Sequence, residues 1–466
     1  MKLSPTWRCG LLTAVLASVS LVSAVPSALA QDAPAGVTPE TAFIFNTLLF
    51  LIGGFLVMWM AAGFAMLEAG LVRSKNVAMQ CTKNIGLYSI AGLMYWAVGY
   101  SLMYTGVDGG YMGTFAPYGF DSMGTLSPGD GATAEQTAAA AAASKGLLDT
   151  GYSTASDWFF QMVFVATAAS IVSGTVAERV KIWAFFIFVI VLAGFIYPIA
   201  GSWKWGAGWL DAMGFQDFAG STIVHSVGGW AALTGAIIIG ARRGKYVNGK
   251  VMPMVASNIP LATLGTFILW LGWFGFNGAS QLAAGSLTDV TAVSNIFANT
   301  NLAAAGGVVA SLVLMQIIYG KVDVTMALNG ALAGLVAITA EPLQPSPALA
   351  ILIGAIGGAI VVFTVPLLDK LKIDDVVGAV PVHLFAGIFG TMVVPLSNSD
   401  ASFGVQLTGV VAYGLFAIVT SAALWLILKF TIGVRVTEEE EEMGLDLADI
   451  GVEAYPEFGS GSQRIG

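Results

Sequence analysis

Histidine is nearly missing from this chain, with His225 and His383 the only two among 466 residues. Cysteine is as scarce, represented by Cys9 and Cys81, which excludes a disulfide framework and a cysteine metal cluster. Charged residues make up 10%, against about 25% in soluble domains. The net charge of −9 owes five of its acids to one run, Glu438 to Glu442, and says little about the body of the chain. No basic stretch interleaved with aromatics suggests nucleic acid, and no phosphate loop, Ser/His/Asp set or metalloprotease motif occurs. No lysine lies in an apolar run where a retinal Schiff base would need it. Two histidines are too few for the usual three protein ligands of catalytic zinc. Neither an enzyme nor a resident metal or cofactor is indicated.

What is present is hydrophobicity: 56% apolar residues and a mean hydropathy of +0.80. Such a chain is an all-α integral membrane protein, since helices close their own backbone hydrogen bonds in lipid. Residues 1–30 carry Lys2 and Arg8, an apolar run from Leu11 to Val25, and Ala28-Leu29-Ala30. This is the layout of a secretory signal cleaved after Ala30, leaving 31–41 outside a bacterial inner membrane. Each span needs about 20 apolar residues. Eleven fit, at 42–70, 84–106, 157–177, 181–203, 219–241, 259–279, 294–319, 324–341, 348–368, 379–395 and 405–432, within a transmembrane domain over 42–434. The segment 107–156 reads as a polar, Ala-rich external loop, and 435–466 as a tail.

The basic residues orient the chain. Of 19 Lys and Arg, fifteen follow odd-numbered spans, Lys145 and Lys204 follow even-numbered ones, and Lys2 and Arg8 belong to the leader. Positive charge stays inside, so the N-terminus is expected outside and the C-terminus inside. The tenth span repeats a pattern of the fifth: Asp217, His225, Gly229 and Asp375, His383, Gly387 share the spacing Asp-x7-His-x3-Gly. Opposite directions of travel make this an inverted repeat of five plus five spans, with a final helix added, and such repeats place their site at the midplane. Eight helical residues rise about 12 Å. Entering a core of about 30 Å from opposite faces, the two imidazoles are expected near each other at mid-membrane. Ionisable groups there are costly and line pathways, and neutral imidazoles can donate at one nitrogen and accept at the other. Asp217 and Asp375 suit helix caps, while Asp217 could also hold a cation electrostatically. Aromatic clusters at Phe159–Phe164, Trp203–Trp209 and Trp273–Phe276 suit small-cation binding, worth up to about 2 kcal/mol when desolvated.

Asp217 to Arg242 reads DFAGSTIVHSVGGWAALTGAIIIGAR. With AMLEAGLVRSKN (65–76), SGTVAERV (173–180), WFGFNGAS (273–280), VHLFAGIFGT (382–391) and the tail 435–455, it resembles the Amt/Mep/Rh ammonium transporter family, specifically its bacterial Amt members. The resemblance covers about 40–455. Its departures are the long loop 107–156, Trp230 after the glycine pair, and the added Glu run. It implies an eleven-helix protomer in a homotrimer, with lipid around it and a pore in each protomer. By motif position, His225 and His383 correspond to the family's twin histidines, and Phe164 and Phe276 to its stacked pore gate. Trp205 and Ser280, with Phe160 or Phe164, correspond to the external ammonium site, and Asp217 to the aspartate near it. The resemblance also implies a PII signalling protein at the cytoplasmic face. The expected function is ammonium recruitment, deprotonation and ammonia conduction with proton relay by the histidines. Its rivals are an ammonium sensor acting through a partner, and a membrane haem protein with both histidines as axial ligands.

Overall fold

Apolar runs of this length fold as helices, because hydrocarbon offers no other partner for the backbone. The computed structural model describes residues 37–121, 126–127 and 129–456; the expected signal over 1–30 lies outside them. In chain order, α1 is Pro39–Leu71 and α2 is Val77–Met94, which continues through a π turn to Tyr104. Next come α3 (Ala134–Thr150), α4 (Thr154–Thr175) and α5 (Ile182–Val191, continuing through a π turn to Ser202). A π turn at Ser221–Ser226 leads into α6 (Val227–Ile239), followed by α7 (Ile259–Ala279), α8 (Leu287–Tyr319), α9 (Val324–Ile338) and α10 (Pro347–Lys370). A further π turn, Val380–Phe385, opens α11 (Ala386–Val393). The chain closes with α12 (Phe403–Thr431) and the short α13 (Glu438–Met443).

Among the described residues, nine helical stretches are long and apolar enough to cross a membrane, and two shorter apolar ones occupy Val324–Ile338 and Val380–Leu396. These fall on the eleven stretches expected from sequence. The segment 107–156 is more ordered than its reading as a loop: it contains α3, opened by a reciprocal capping box between Thr133 and Gln136. Its alanines favour helix, and of its residues only Ala140 is buried. Helix α4 is the reverse case, with every residue from Phe160 to Thr175 buried, as expected of a helix without a polar face. Close packing of α8 on α10 depends on glycine. A Cβ at Gly354 would lie 1.9 Å from the Ala303 carbonyl oxygen, and one at Gly358 2.2 Å from that of Gly307.

Where α4, α6 and the segment before α11 end together, a buried ion network joins them. Arg242 Nε donates to Asp374 Oδ2 at 2.8 Å, Nη2 to Asp374 Oδ1 at 2.9 Å, and Nη1 to Glu178 Oε1 at 2.9 Å. Glu178 also pairs with Arg73 and accepts from Asn76 Nδ2. Arg179 donates to the Asp374 and Gly240 carbonyls. The tail docks on this platform. Lys181 N donates to Val434 O and Val436 N to Arg179 O, while the Asp446 carboxylate accepts from Val77 N and Met79 N at the start of α2. The Glu run is a capped helical turn in which Glu441 is buried against Arg435.

Burial alone would raise the Asp374 carboxyl, but the hydrogen bonds and charge of Arg242, with Arg179, hold it well below its ordinary 3.8. A depressed carboxylate stabilises the fold fully above its unfolded value, and that contribution is lost as pH falls through the folded value. Wild-type melting temperature should therefore drop steeply on acidification below 3.8. Asp374→Asn should melt lower at neutral pH and show a flatter acid limb. Arg242→Met, which takes from the buried Asp374 its ion-pair partner, should cost about 3–5 kcal/mol, read from thermal unfolding in detergent.

Candidate conduction site

The two histidine segments are built alike. Each begins with an aspartate that caps a π turn. Asp217 Oδ1 accepts from Gly220 N and Ser221 N, and Oδ2 from Thr222 N and Ile223 N, at 2.7–3.1 Å. Asp375 accepts from Gly378 N, Val380 N and Thr175 Oγ1. These are the N–H groups that a helix start leaves orphaned. Asp217 thereby has both oxygens engaged by backbone N–H groups of the turn it caps. Its backbone carbonyl accepts from Trp205 Nε1 at 3.1 Å, so it also positions that indole.

His225 and His383 lie in the two π turns and meet. Their Nδ1 atoms are 3.1 Å apart, and the rings stack at 5.1 Å and 20°. The contact is direct, closer than the separation that helical rise alone indicates. One Nδ1 must donate and the other accept. His225 Nε2 is buried with no partner. The glycine four residues after each histidine makes room for the other segment. A Cβ at Gly229 would lie 2.8 Å from Leu384 N, and one at Gly387 2.4 Å from Ser221 O and 2.6 Å from Ser226 Oγ. The twin spacing thus serves as a reciprocal notch.

Next to the pair, Phe164 and Phe276 stack at 3.9 Å and 20°, and the His225 ring centre lies 5.3 Å from that of Phe276. Trp205 meets Phe164 edge-on at 6.0 Å. Phe160 supports Phe164 from the side at 4.7 Å and is itself held by Phe50. Phe160, Phe164 and Phe276 are buried, while Trp205 and Ser280 are partly exposed. Ser280 Oγ donates to the Phe276 carbonyl at 2.7 Å, which leaves its lone pairs free to accept. The residues chosen from sequence are thus joined in one line of contacts: Trp205 to Phe164, Phe164 and Ser280 to Phe276, Phe276 to His225, and His225 to His383.

Three further residues join that line. Trp273 stacks on His225 at 5.0 Å and donates to Thr339 Oγ1. Phe64 lies 6.2 Å from the His383 ring. Glu68 borders a cavity on the His383 side. An acid near the end of a long apolar helix was a legible signal for Glu68; nothing in sequence marks Trp273 beyond its aromatic cluster. That cavity shares Asn329 and Val377 with a wider one lined by Arg242, Asp369 and Asp375.

The profile of the Ammonium Transporter Family matches residues 48–455. The chain belongs to the ammonium transporter family. It is 40% identical over 440 residues to ammonium transporter Amt2 of Archaeoglobus fulgidus, covering 88% of this chain and 87% of that protein. To ammonium transporter Amt1 of Haloferax mediterranei it is 37% identical over 438 residues, covering 89% and 80%. Among solved structures, a sensor Amt protein superposes with a TM-score of 0.78 at 33% identity, covering 88% of this chain and 100% of that one. Candida albicans Mep2 gives 0.74 at 25%, covering 90% and 92%. The chain is therefore a multi-pass membrane transporter, and its relatives are named as transporters, not enzymes.

The notch predicts a sharp sensitivity. Gly387→Ala should push the π turns apart and lower ammonium transport about 100-fold, the cost of an ångström-scale misplacement. Gly404→Ala, where no atom lies within 4 Å of the added Cβ, should leave transport unchanged. Uptake in reconstituted vesicles measures both.

Proposed function

We propose that this protein recruits ammonium at an outer mouth, strips its proton, and conducts ammonia past the twin histidines, which relay the proton. The observation that carries this reading is the line of contacts from Trp205 to His383, with the two imidazoles in hydrogen-bond contact. Aromatic faces attract a small cation, and the Ser280 hydroxyl can accept an N–H from ammonium, which potassium lacks. Phe164 and Phe276 then impose an apolar constriction where an unpaired charge is costly. A neutral molecule passes more readily, and His225 Nε2 offers it a hydrogen-bonding partner. Selectivity follows from forced deprotonation, and the proton moves along the imidazole pair.

In this reading the chain crosses the membrane eleven times as an inverted five-plus-five repeat and a last helix, with its N-terminus outside. The charge bias and the paired Asp-capped π turns support that arrangement. It works as a homotrimer in a bacterial inner membrane, with the docked tail facing the cytoplasm as the platform for a PII signalling protein. A sensing role has a single hint, the likeness to the sensor Amt protein at 33% identity; here it would act through a partner and the same pathway. The haem reading is disfavoured by geometry: rings stacked at 5.1 Å, with Trp273 and Phe276 against His225, leave no space for a macrocycle.

The test is the ammonium-evoked current in proteoliposomes, with potassium as control. His225→Ala with His383→Ala should abolish most of the current or admit potassium. Full current with unchanged selectivity would sink the relay.

A further inference from the structure

The cavity beyond His383 carries one carboxylate among its lining residues, Glu68 of α1. Glu68 is 1% exposed, and its two oxygens are treated differently. Oε2 accepts three hydrogen bonds: from Gln80 Nε2 at 2.6 Å, Ser173 Oγ at 2.8 Å and Asn84 Nδ2 at 3.0 Å. Oε1 is buried and has none. The neighbouring polar groups on that cavity are engaged elsewhere, Ser170 Oγ with the Ala166 carbonyl and Asn329 Nδ2 with that of Val377. Lys83 Nζ donates to Gln80 Oε1 and the Ser173 carbonyl. A cation thus stands behind the carboxylate, linked through two of its own donors.

A purely structural role does not account for this. Tying α1 to α2 and α4 takes one acceptor oxygen, which a glutamine would supply without a buried charge. An idle buried acceptor costs about 1–3 kcal/mol, and native structures seldom keep one without a use.

We propose that Glu68 is the proton acceptor on the far side of the histidine pair, receiving through its idle oxygen, by way of water or ammonia in the shared cavity, the proton that His383 gives up. This rests on the relay reading above. An N–H bond of the His383 imidazolium breaks and an O–H bond forms at Glu68 Oε1. Glu68 then returns the proton to an ammonia molecule, which leaves as ammonium, and the carboxylate is restored. The groups facing Glu68 are Lys83, Gln80 and Asn84 from α2, Ser173 from α4 and His383 across the cavity, with Arg179 within electrostatic reach of Lys83.

Glu68→Gln tests the role, because its amide oxygen can keep all three donors while the titrating group is lost. In proteoliposomes, a folded Glu68→Gln protein should lose about 100-fold in ammonium-evoked current, the usual scale of a lost acid–base group. Its remaining current should lose the wild-type pH profile, and Glu68→Asp should recover part of both. Wild-type current and pH profile in folded Glu68→Gln would overturn the proposal. If Glu68→Gln does not fold, Glu68→Asp decides: a displaced pH profile supports the role and an unchanged one overturns it. The paired histidine variant, run alongside, separates the readings. Loss of current there with full current in Glu68→Gln removes Glu68 alone, whereas full current in the histidine variant removes the relay itself.

Discussion

Two imidazoles held with Nδ1 atoms 3.1 Å apart are the constraint around which this molecule is arranged. Neither ring can approach the other unless both backbones come close, and both backbones come close because neither Gly229 nor Gly387 carries a Cβ. Each turn is wound as a π turn, which frees more N–H groups at its start than side chains usually cover, and an aspartate collects them. Aspartate, histidine and glycine at fixed spacing therefore act as cap, ring and notch of one device, used twice.

The surroundings serve that contact from both ends. On one side, Trp273 and Phe276 pack against the ring of His225, and Phe164 stacks on Phe276. On the other, Asp375 caps the His383 turn and is the neighbour in sequence of Asp374, which Arg242 and Arg179 hold in the buried ion network. The tail reaches the same network through Arg179 and Asn76. A continuous set of hydrogen bonds thus runs from the docked tail to the base of the His383 turn. Buried charge is expensive unless paired, and here the pairing also binds together four separate chain segments.

Much of this was legible without coordinates. Hydropathy located the nine long apolar helical stretches among the described residues, since the bilayer permits little else. The repeat of Asp-x7-His-x3-Gly identified both histidines, and the family resemblance singled out Phe164, Phe276, Trp205 and Ser280. Other features were hidden for definite reasons. The π turns leave no hydrophobic period to read. Helix α3 is polar, so a search for apolar spans passes over it. Lys83 is one of the fifteen basic residues that follow odd-numbered spans, yet it is fully buried against Gln80 and Ser173, because only the packing of α2 on α4 reveals which side of a helix end faces inward.

Sequence alone determined that this is a multi-spanning helical protein with two related histidine segments, because lipid solvent and residue spacing act through local chemistry. Tertiary structure decided what those residues do to each other. Asp217 spends both oxygens on four backbone N–H groups of the turn that follows it. Glu68 keeps one oxygen idle beside His383. The Glu68 pattern depends on donors brought by α2 and α4, Ser173 among them 105 residues away, and the Asp217 cap depends on the π turn that aims four nearby N–H groups at one carboxylate, which no hydrophobic pattern encodes.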